Sequence, residues 1–308
     1  MISVENLSKK FGELQAVDRV SFTVAPGELF GLLGPNGAGK TTTICMISGL
    51  LRPDEGTVRV ENHNLWESPR AAKRLLGLVP QDLALYQEFS ARENLRFWGG
   101  LYGLSRSRLK QNTEDLLERV GLADRAGEPV SRYSGGMKRR LNLAIGLVHQ
   151  PKALLLDEPT VGIDPQGRNN ILDVIRDIAR QGTAVILTTH HLEEAEKLCD
   201  RIAIIDQGKI LQTGSVSELA HLAGDHDVVA LHGEFTAEQL RQCLAKEPVA
   251  FLAAADRSAS LKLMQHGYGI APLVNRLTEA GIELADISVQ KPTLESVFLK
   301  LTGRELRD

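Results

Sequence analysis

Residues 29–42 read LFGLLGPNGAGKTT. A short apolar run enters a glycine-rich turn, and a lysine followed by threonines leaves it. Gly34–Thr41 fits the pattern G-x-x-x-x-G-K-[ST]. In that pattern glycines let backbone amides turn inward around a phosphate, and the following helix adds the partial positive charge of its N-terminus. Gly34, Pro35, Asn36, Gly37, Ala38, Gly39, Lys40, Thr41 and Thr42 are therefore candidate phosphate contacts. Lys40 is placed to reach the β- and γ-phosphates of a nucleotide, and the Thr41 hydroxyl to bind Mg2+. A glycine turn of no special purpose requires neither the strand before it nor the helix after it.

Composition sets bounds around this loop. The 308 residues suffice for one large or two ordinary domains. Apolar and charged contents of 43% and 24% are those of an ordinary globular protein. A net charge of -3 gives no basic excess for nucleic acid, so no such partner is expected. Cys45, Cys199 and Cys243 show no metal or redox spacing and fit a reducing compartment. The opening MISVENLSKKFG lacks the apolar segment of a secretion signal. No stretch approaches the roughly 18 apolar residues of a membrane span, so any membrane role is expected to pass through a partner.

Short apolar runs at Leu29–Leu33, Leu76–Val79, Ala153–Leu156, Ala184–Thr188 and Arg201–Ile205 alternate with helical patterns. That alternation predicts an α/β fold with a parallel sheet covered on both faces. Val20–Val24 alternates with polar positions and reads as an antiparallel strand ahead of the loop, and the domain's sheet is expected to be mixed. Ile171, Ile175 and Ile178 share one face of a helix over Pro165–Arg180. Residues 82–150 read as a helical subdomain inserted into the sheet, opened by a capping box of Ser90 with Glu93 ahead of Asn94–Leu101 and continued by Glu114–Val120.

After Gly214 the character changes, and Ser215 with Glu218 opens another helix. Asp225–Asp227 reads as a polar connection. Strand Val228–His232, helix Glu238–Lys246, strands Val249–Ala253 and Ser260–Met264, helix Pro272–Ala280 and strand Leu284–Val289 give the β-α-β-β-α-β order of ferredoxin-like domains. The closing PTLESVFLKLTG reads as an amphipathic helix with Leu294, Val297, Phe298 and Leu301 on one face. The expected division is 1–215 and 216–308, the second part a small α+β accessory domain.

A second half-site follows the run Ala153–Leu156. Asp157 and Glu158 stand at the carboxyl end of a buried strand, where ligands of open α/β sheets gather. Asp157 is expected to hold Mg2+ through water, and Glu158 to deprotonate an attacking water. Asp164 before Pro165 reads as an N-cap. His190, nearer the strand end than His191, is the candidate γ-phosphate contact, or else a structural histidine. Gln81, after Leu76–Val79, is a hinge able to watch Mg2+ and water. Phe11 offers a flat face for adenine, or else packs in the core.

Residues 133–140 read YSGGMKRR, a second phosphate nest. Ser134, Gly135 and Gly136 at a helix start present amides and a hydroxyl to a terminal phosphate. Two nests for one nucleotide imply a head-to-tail dimer, each nucleotide lying between the first loop of one copy and Ser134–Gly136 of the other.

GPNGAGKTT, Gln81, YSGGM, LLLDEPT, GIDP and TTHHLEEAE, in that order, resemble the ATP-binding subunit of an ABC transporter. The resemblance covers about Phe11 to Thr213 and implies a P-loop NTPase fold, with ATP and Mg2+ as ligands. It implies adenine stacking at Phe11, phosphate binding at Gly34–Thr42 and lid and coupling duty at Gln81. Mg2+ falls to Asp157, the catalytic base to Glu158 and a switch to His190. Ser134–Gly136 complete the partner copy's site, and Asp164 lies in the loop linking the two sites. Met137 departs from the glutamine common there, which affects side-chain contacts and not amide ones. The tail LESVFLKLTGRELRD is similar to that of drug-resistance, lipo-oligosaccharide and sodium exporters, whose membrane permeases are separate chains. The expected place is the cytoplasmic side of the cell membrane, held through the permease. An ATPase acting on nucleic acid or the ribosome, and an importer subunit, are the alternatives.

Overall fold

The computed structural model describes residues 1–223, 228–264, 269–290 and 293–302. They fall into two compact units, residues 1–216 and the residues from Ser217 onward.

The first unit is built on a six-stranded sheet in the order Lys209–Gly214, Arg201–Asp206, Leu29–Leu33, Ala184–Thr189, Ala153–Asp157, Leu76–Val79. Every neighbouring pair is parallel except the first. Leu29–Leu33, Ala153–Asp157 and Ala184–Thr189 are buried along their whole length, as strands covered on both faces must be. All five strands expected from apolar runs are present, three of them one residue longer than their runs. Because the pairs are parallel, Leu33, Asp157 and Thr189 end at one edge of the sheet, with Leu33 opposite Thr189 and Asp157 opposite Thr188.

A separate four-stranded antiparallel sheet holds Leu14–Val24, Ile2–Phe11, Glu55–Val60 and His63–Asn64. The expected Val20–Val24 is the end of the longer Leu14–Val24 strand. Ile2–Phe11 escapes a period-2 reading because register shifts and the positive φ of Asn6 (51°) break its alternation. Phe22 of this sheet stacks on Phe30 of the other at 4.8 Å between ring centres.

Helices Ala91–Leu101, Arg106–Arg119 and Gly135–Leu147 lie in sequence between Leu76–Val79 and Ala153–Asp157, which are themselves parallel neighbours. Ser90 and Glu93 form the expected reciprocal cap. Asn142, 1% exposed, fastens the Gly135–Leu147 helix to the chain leaving the sheet. Its Nδ2 donates to Pro80 O (3.1 Å), and its Oδ1 accepts from Ala84 N (3.3 Å). His149 supplies another fastening, its Nε2 lying 2.9 Å from Leu76 O and its ring stacking on Tyr102 at 3.6 Å. A carbonyl only accepts, so Nε2 carries the proton and the buried Nδ1 has no partner.

In the second unit, strands Val228–Glu234, Val249–Ala255, Ser258–Leu263 and Glu283–Gln290 alternate with helices Ala237–Cys243 and Ile270–Glu279. The sheet order places Val228–Glu234 between Ser258–Leu263 and Glu283–Gln290, all antiparallel, which is the expected ferredoxin-like arrangement. Val229, Leu231, Leu261 and Leu263 pack with Leu240, Leu244, Leu273 and Leu277 as its core. Helix Leu294–Thr302 buries Leu294, Val297 and Phe298 as expected, but Leu301 is 37% exposed. Leu301 stands in the last turn of the helix, where the chain leaves it open to solvent. The expected Asp225–Asp227 connection, Pro292 and the segment from Gly303 lie outside the described residues. Among those described, no helix is long and apolar enough to cross a membrane.

Burial pushes the His149 imidazole down to about 4 from 6.5, against the opposing pull of Leu76 O. Below about pH 6.5 the unfolded chain takes a proton that the folded chain refuses. Stability should therefore fall with pH through that window, by up to about 3 kcal/mol. Urea unfolding at about pH 7.5 and about pH 4.5 should show a smaller acid loss in His149→Gln than in the parent chain. Equal losses would mean that His149 is not held neutral.

Candidate nucleotide-binding site

The loop Gly34–Thr42 leaves the central strand at the sheet's carboxyl edge and starts helix Lys40–Ile47. Its shape requires glycine at Gly39, where φ is 101° and an added Cβ would sit 2.5 Å from Ala16 O. No side chain caps the first turn of this helix, so its leading amides face the loop. Ala16 belongs to the Leu14–Val24 strand, so the hairpin bearing Phe11 is packed against the phosphate loop.

Lys40 reaches back across the loop, donating to Gly34 O at 2.8 Å and Pro35 O at 3.1 Å. The same ammonium stands 3.1 Å from Glu158 Oε1, with side-chain exposures of only 4% and 7%. His190 Nδ1 lies 3.2 Å from that oxygen, but it forms no aligned hydrogen bond and acts as a polar neighbour. Burial alone would raise the Glu158 carboxyl. Lys40 foremost and His190 with it outweigh burial and hold the carboxyl below its ordinary range. Glu158 is thus ionised at neutral pH, as a proton acceptor must be.

Asp157 lies beside this group. Thr41 Oγ1 donates to Asp157 Oδ1 at 3.3 Å, and Thr188 Oγ1 donates to the same oxygen at 2.6 Å. Glu158 N donates to Thr188 Oγ1 at 3.0 Å. Glu158 itself has φ 46°, a left-handed conformation costly to a residue with a Cβ and concentrated at working sites. Among the described residues no cluster of acids, histidines and cysteines suffices to enclose a metal. One carboxylate with one hydroxyl is instead the donor set that suits Mg2+, which keeps waters and takes substrate phosphates for the rest. The residues present fit both ligands.

The other expected residues have contacts of their own. Ser134 caps helix Gly135–Leu147, its Oγ accepting from Met137 N at 3.3 Å. The nest sits beside the loop before Asp164: a Cβ at Gly136 would meet only Ile163 Cγ2 at 3.7 Å, and one at Gly135 only Gly162 O at 4.0 Å. Asp164 caps helix Pro165–Arg180 through Gly167 N, as expected of a residue before an N1 proline. Gln81 is exposed, and its carbonyl accepts from Arg139. Phe11 is 49% exposed with Lys9 Nζ 5.7 Å from its ring centre, so it is not a core residue. Sequence reasoning missed Thr188, Asn142 and Glu194. The threonine pair ahead of His190 was the one available signal, since a strand's last two side chains point to opposite faces.

A glycine cradle, a buried lysine and paired acids at the carboxyl edge of a mostly parallel sheet define a phosphate-loop nucleotide hydrolase. A family profile described as ABC transporter matches residues 17–161. The linearmycin resistance ATP-binding protein of Bacillus subtilis is 42% identical over 311 residues, covering 100% of both chains. A daunorubicin resistance ATP-binding protein of Streptomyces coeruleorubidus is 40% identical, over 99% of this chain and 97% of its own. The Nod factor export ATP-binding protein I of Paraburkholderia xenovorans is 39% identical, over 100% and 98%. Among solved structures, an ATP-binding subunit of an ABC transporter superposes with a TM-score of 0.66 and 29% identity, over 72% of this chain and 92% of that one. A dimeric post-hydrolysis cassette bound to ADP and Pi gives 0.63 and 25%, over 70% and 98%. The chain belongs to the ABC transporter family, as an ATP-binding and ATP-hydrolysing subunit.

With Lys40 replaced by methionine, the largest influence holding the Glu158 carboxyl down is gone while burial still pushes it up. The carboxyl in Lys40→Met should titrate higher than in the parent. Carbon NMR of the labelled carboxyl would read this directly, and no upward movement would contradict the ion pair.

Proposed function

We propose that the chain hydrolyses ATP with Mg2+ in a symmetric dimer and so powers export through a separate membrane permease. The observation carrying this reading is the meeting of Lys40 and His190 at one oxygen of a strained, ionised Glu158. Relatives named for resistance or export support the direction.

Each residue has a role in this reading. Phe11 stacks on adenine, and amides of Gly34–Thr42 hold the phosphates. Thr41 and Asp157 hold Mg2+, watched by Gln81; bound there, the ion neutralises charge on the β- and γ-phosphates. Lys40 cannot grip phosphate and Glu158 equally. An arriving phosphate replaces the carboxylate as its counter-anion and releases Glu158 to take a proton from the attacking water. The water's oxygen bonds to the γ-phosphorus, the bond to the β,γ-bridging oxygen breaks, and ADP leaves. His190 steadies the γ-phosphate.

Ser134, Gly135 and Gly136 serve the partner copy's nucleotide, with Asp164 in the linking loop. The chain's own packing leaves room for a side chain at Gly135 and Gly136. Their open side therefore suits a ligand supplied from outside, and glycine keeps the amides reachable. The exposed Tyr86, Phe89 and Phe97, with ring centres 4.8 to 6.4 Å apart, offer the permease an apolar landing beside Gln81. Residues 1–215 then form the ATPase domain, with 82–150 its helical subdomain. Residues 216–308 form an accessory domain, and the assembly sits at the cytoplasmic side of the cell membrane.

Glu158→Gln should abolish steady-state ATP turnover while leaving nucleotide affinity within about twofold, since Lys40 and Thr41 remain. Near-normal turnover would remove Glu158 as the base. Gly135→Asp sets an anion against phosphate and should abolish ATP-dependent dimerisation in gel filtration. Dimerisation as tight as the parent's would overturn the role of the second nest. Stimulation of turnover by nucleic acid, or inward cargo movement in vesicles with the permease, would replace the exporter reading.

A further inference from the structure

Adjacent acids begin helix Leu192–Leu198, and the fold treats them oppositely. Glu193 is 84% exposed along its side chain, with Lys197 at 3.5 Å, as first-turn acids ordinarily are. Glu194 is 2% exposed. A carboxylate is withdrawn from water only where partners replace its hydration.

Its hydrogen-bond partners come from two separate segments. Thr160 Oγ1 donates to Glu194 Oε1 at 2.7 Å, and Thr189 Oγ1 donates to Oε2 at 3.0 Å. Arg168 Nε stands 3.4 Å away without hydrogen-bond alignment, so it supplies charge only. Thr189 Oγ1 also accepts from His191 N at 2.9 Å, which fixes the backbone on either side of His190.

These contacts form half of a bracket. The strand Ala184–Thr189 ends in two threonines facing opposite ways. Thr188 grips Asp157 Oδ1 and Glu158 N, the upstream end of the segment 157–160. Thr189, acting through Glu194, grips Thr160 at the downstream end. Glu158 lies between the grips in its left-handed conformation, φ 46°. Such a conformation persists only where its surroundings over-determine it.

We infer that Glu194 is a positioning residue that holds Glu158 in its strained conformation by tying Thr160 to the strand end that carries His190. The inference rests on the proposed role of Glu158 as base and adds a separate claim about what keeps it in place. The Glu194 carboxylate is buried and taken up by Thr160 and Thr189, so it acts through the segment they hold. Its loss lets the 157–160 segment relax, and the base then points away from the attacking water more of the time.

The test uses the full chain with Glu194→Ala, Glu194→Gln and Thr160→Val, following kcat, KM for ATP, ADP affinity and amide hydrogen exchange. In Glu194→Ala and Thr160→Val, kcat should fall by about tenfold to a hundredfold while ADP affinity stays within about twofold. Glu194→Gln still meets both hydroxyls, because a hydroxyl accepts as well as donates, so it should recover most of kcat. The amides of 158–161 should exchange faster in the damaged variants, and those of Gly34–Thr42 at the parent rate. Adding Thr160→Val to Glu194→Ala should cost little more, as expected of one shared contact. The exchange measurement needs no turnover and keeps this test apart from that of the base. If Glu194→Ala fails to fold, Thr160→Val carries the test. Unchanged kcat and exchange in Thr160→Val, an effect confined to KM, or simple additivity would overturn the inference.

Discussion

The buried contact between Lys40 and Glu158 organises the catalytic edge. Its oppositely charged groups meet at 3.1 Å almost out of reach of water. Taking them there costs several kcal/mol per ion, so the pair is a poor device for stability. It is a good device for exchange, because a phosphate can take the place of the carboxylate without leaving the ammonium unpaired. Much of the surrounding structure serves to put these two side chains in one place. The parallel sheet ends Leu29–Leu33 beside Ala184–Thr189 and Ala153–Asp157. The loop turn at Gly39 throws Lys40 back over its own carbonyls, and the left-handed Glu158 turns its carboxylate to meet it.

That arrangement explains which parts were readable in the sequence. Residues whose function depends on neighbours within a few positions announced themselves: the glycine loop, the acids after Ala153–Leu156, Asp164 before Pro165, and the Ser90–Glu93 cap. Residues whose function depends on a distant strand did not. Thr188 matters because parallel pairing sets it opposite Asp157, and Glu194 because it meets Thr160. Asn142 looks like one more polar residue on a basic helix until Pro80 and Ala84 are seen against it. The antiparallel sheet was half visible for a related reason. Its long strands shift register, so alternation never runs far enough to declare itself. The C-terminal unit was legible because its strands are short and bounded by clear turns, although individual boundaries moved by one to three residues.

The two candidate phosphate nests are built on different principles. The loop at Gly34–Thr42 is shaped by its own chain, which crowds Gly39 so closely that only glycine fits. The nest at Ser134–Gly136 is uncrowded, and its backbone is ordinary. Glycine where neither strain nor crowding asks for it leaves the amides reachable by a ligand from outside the chain. That contrast accords with the proposed dimer, in which the first is a cradle formed by one subunit and the second a surface offered to another.

The helical insertion leaves the sheet from one strand and returns on that strand's own hydrogen-bonded neighbour. Because these strands are parallel, it leaves at the carboxyl end of Leu76–Val79 and returns at the amino end of Ala153–Asp157, crossing the sheet whatever its contents. Sheet register is indifferent to its length or contents. A designer can exchange such a module, within that span, as a replaceable adaptor on an unchanged engine. Asn142 and His149 are the fittings it must bring, because they attach it to Pro80 and Leu76.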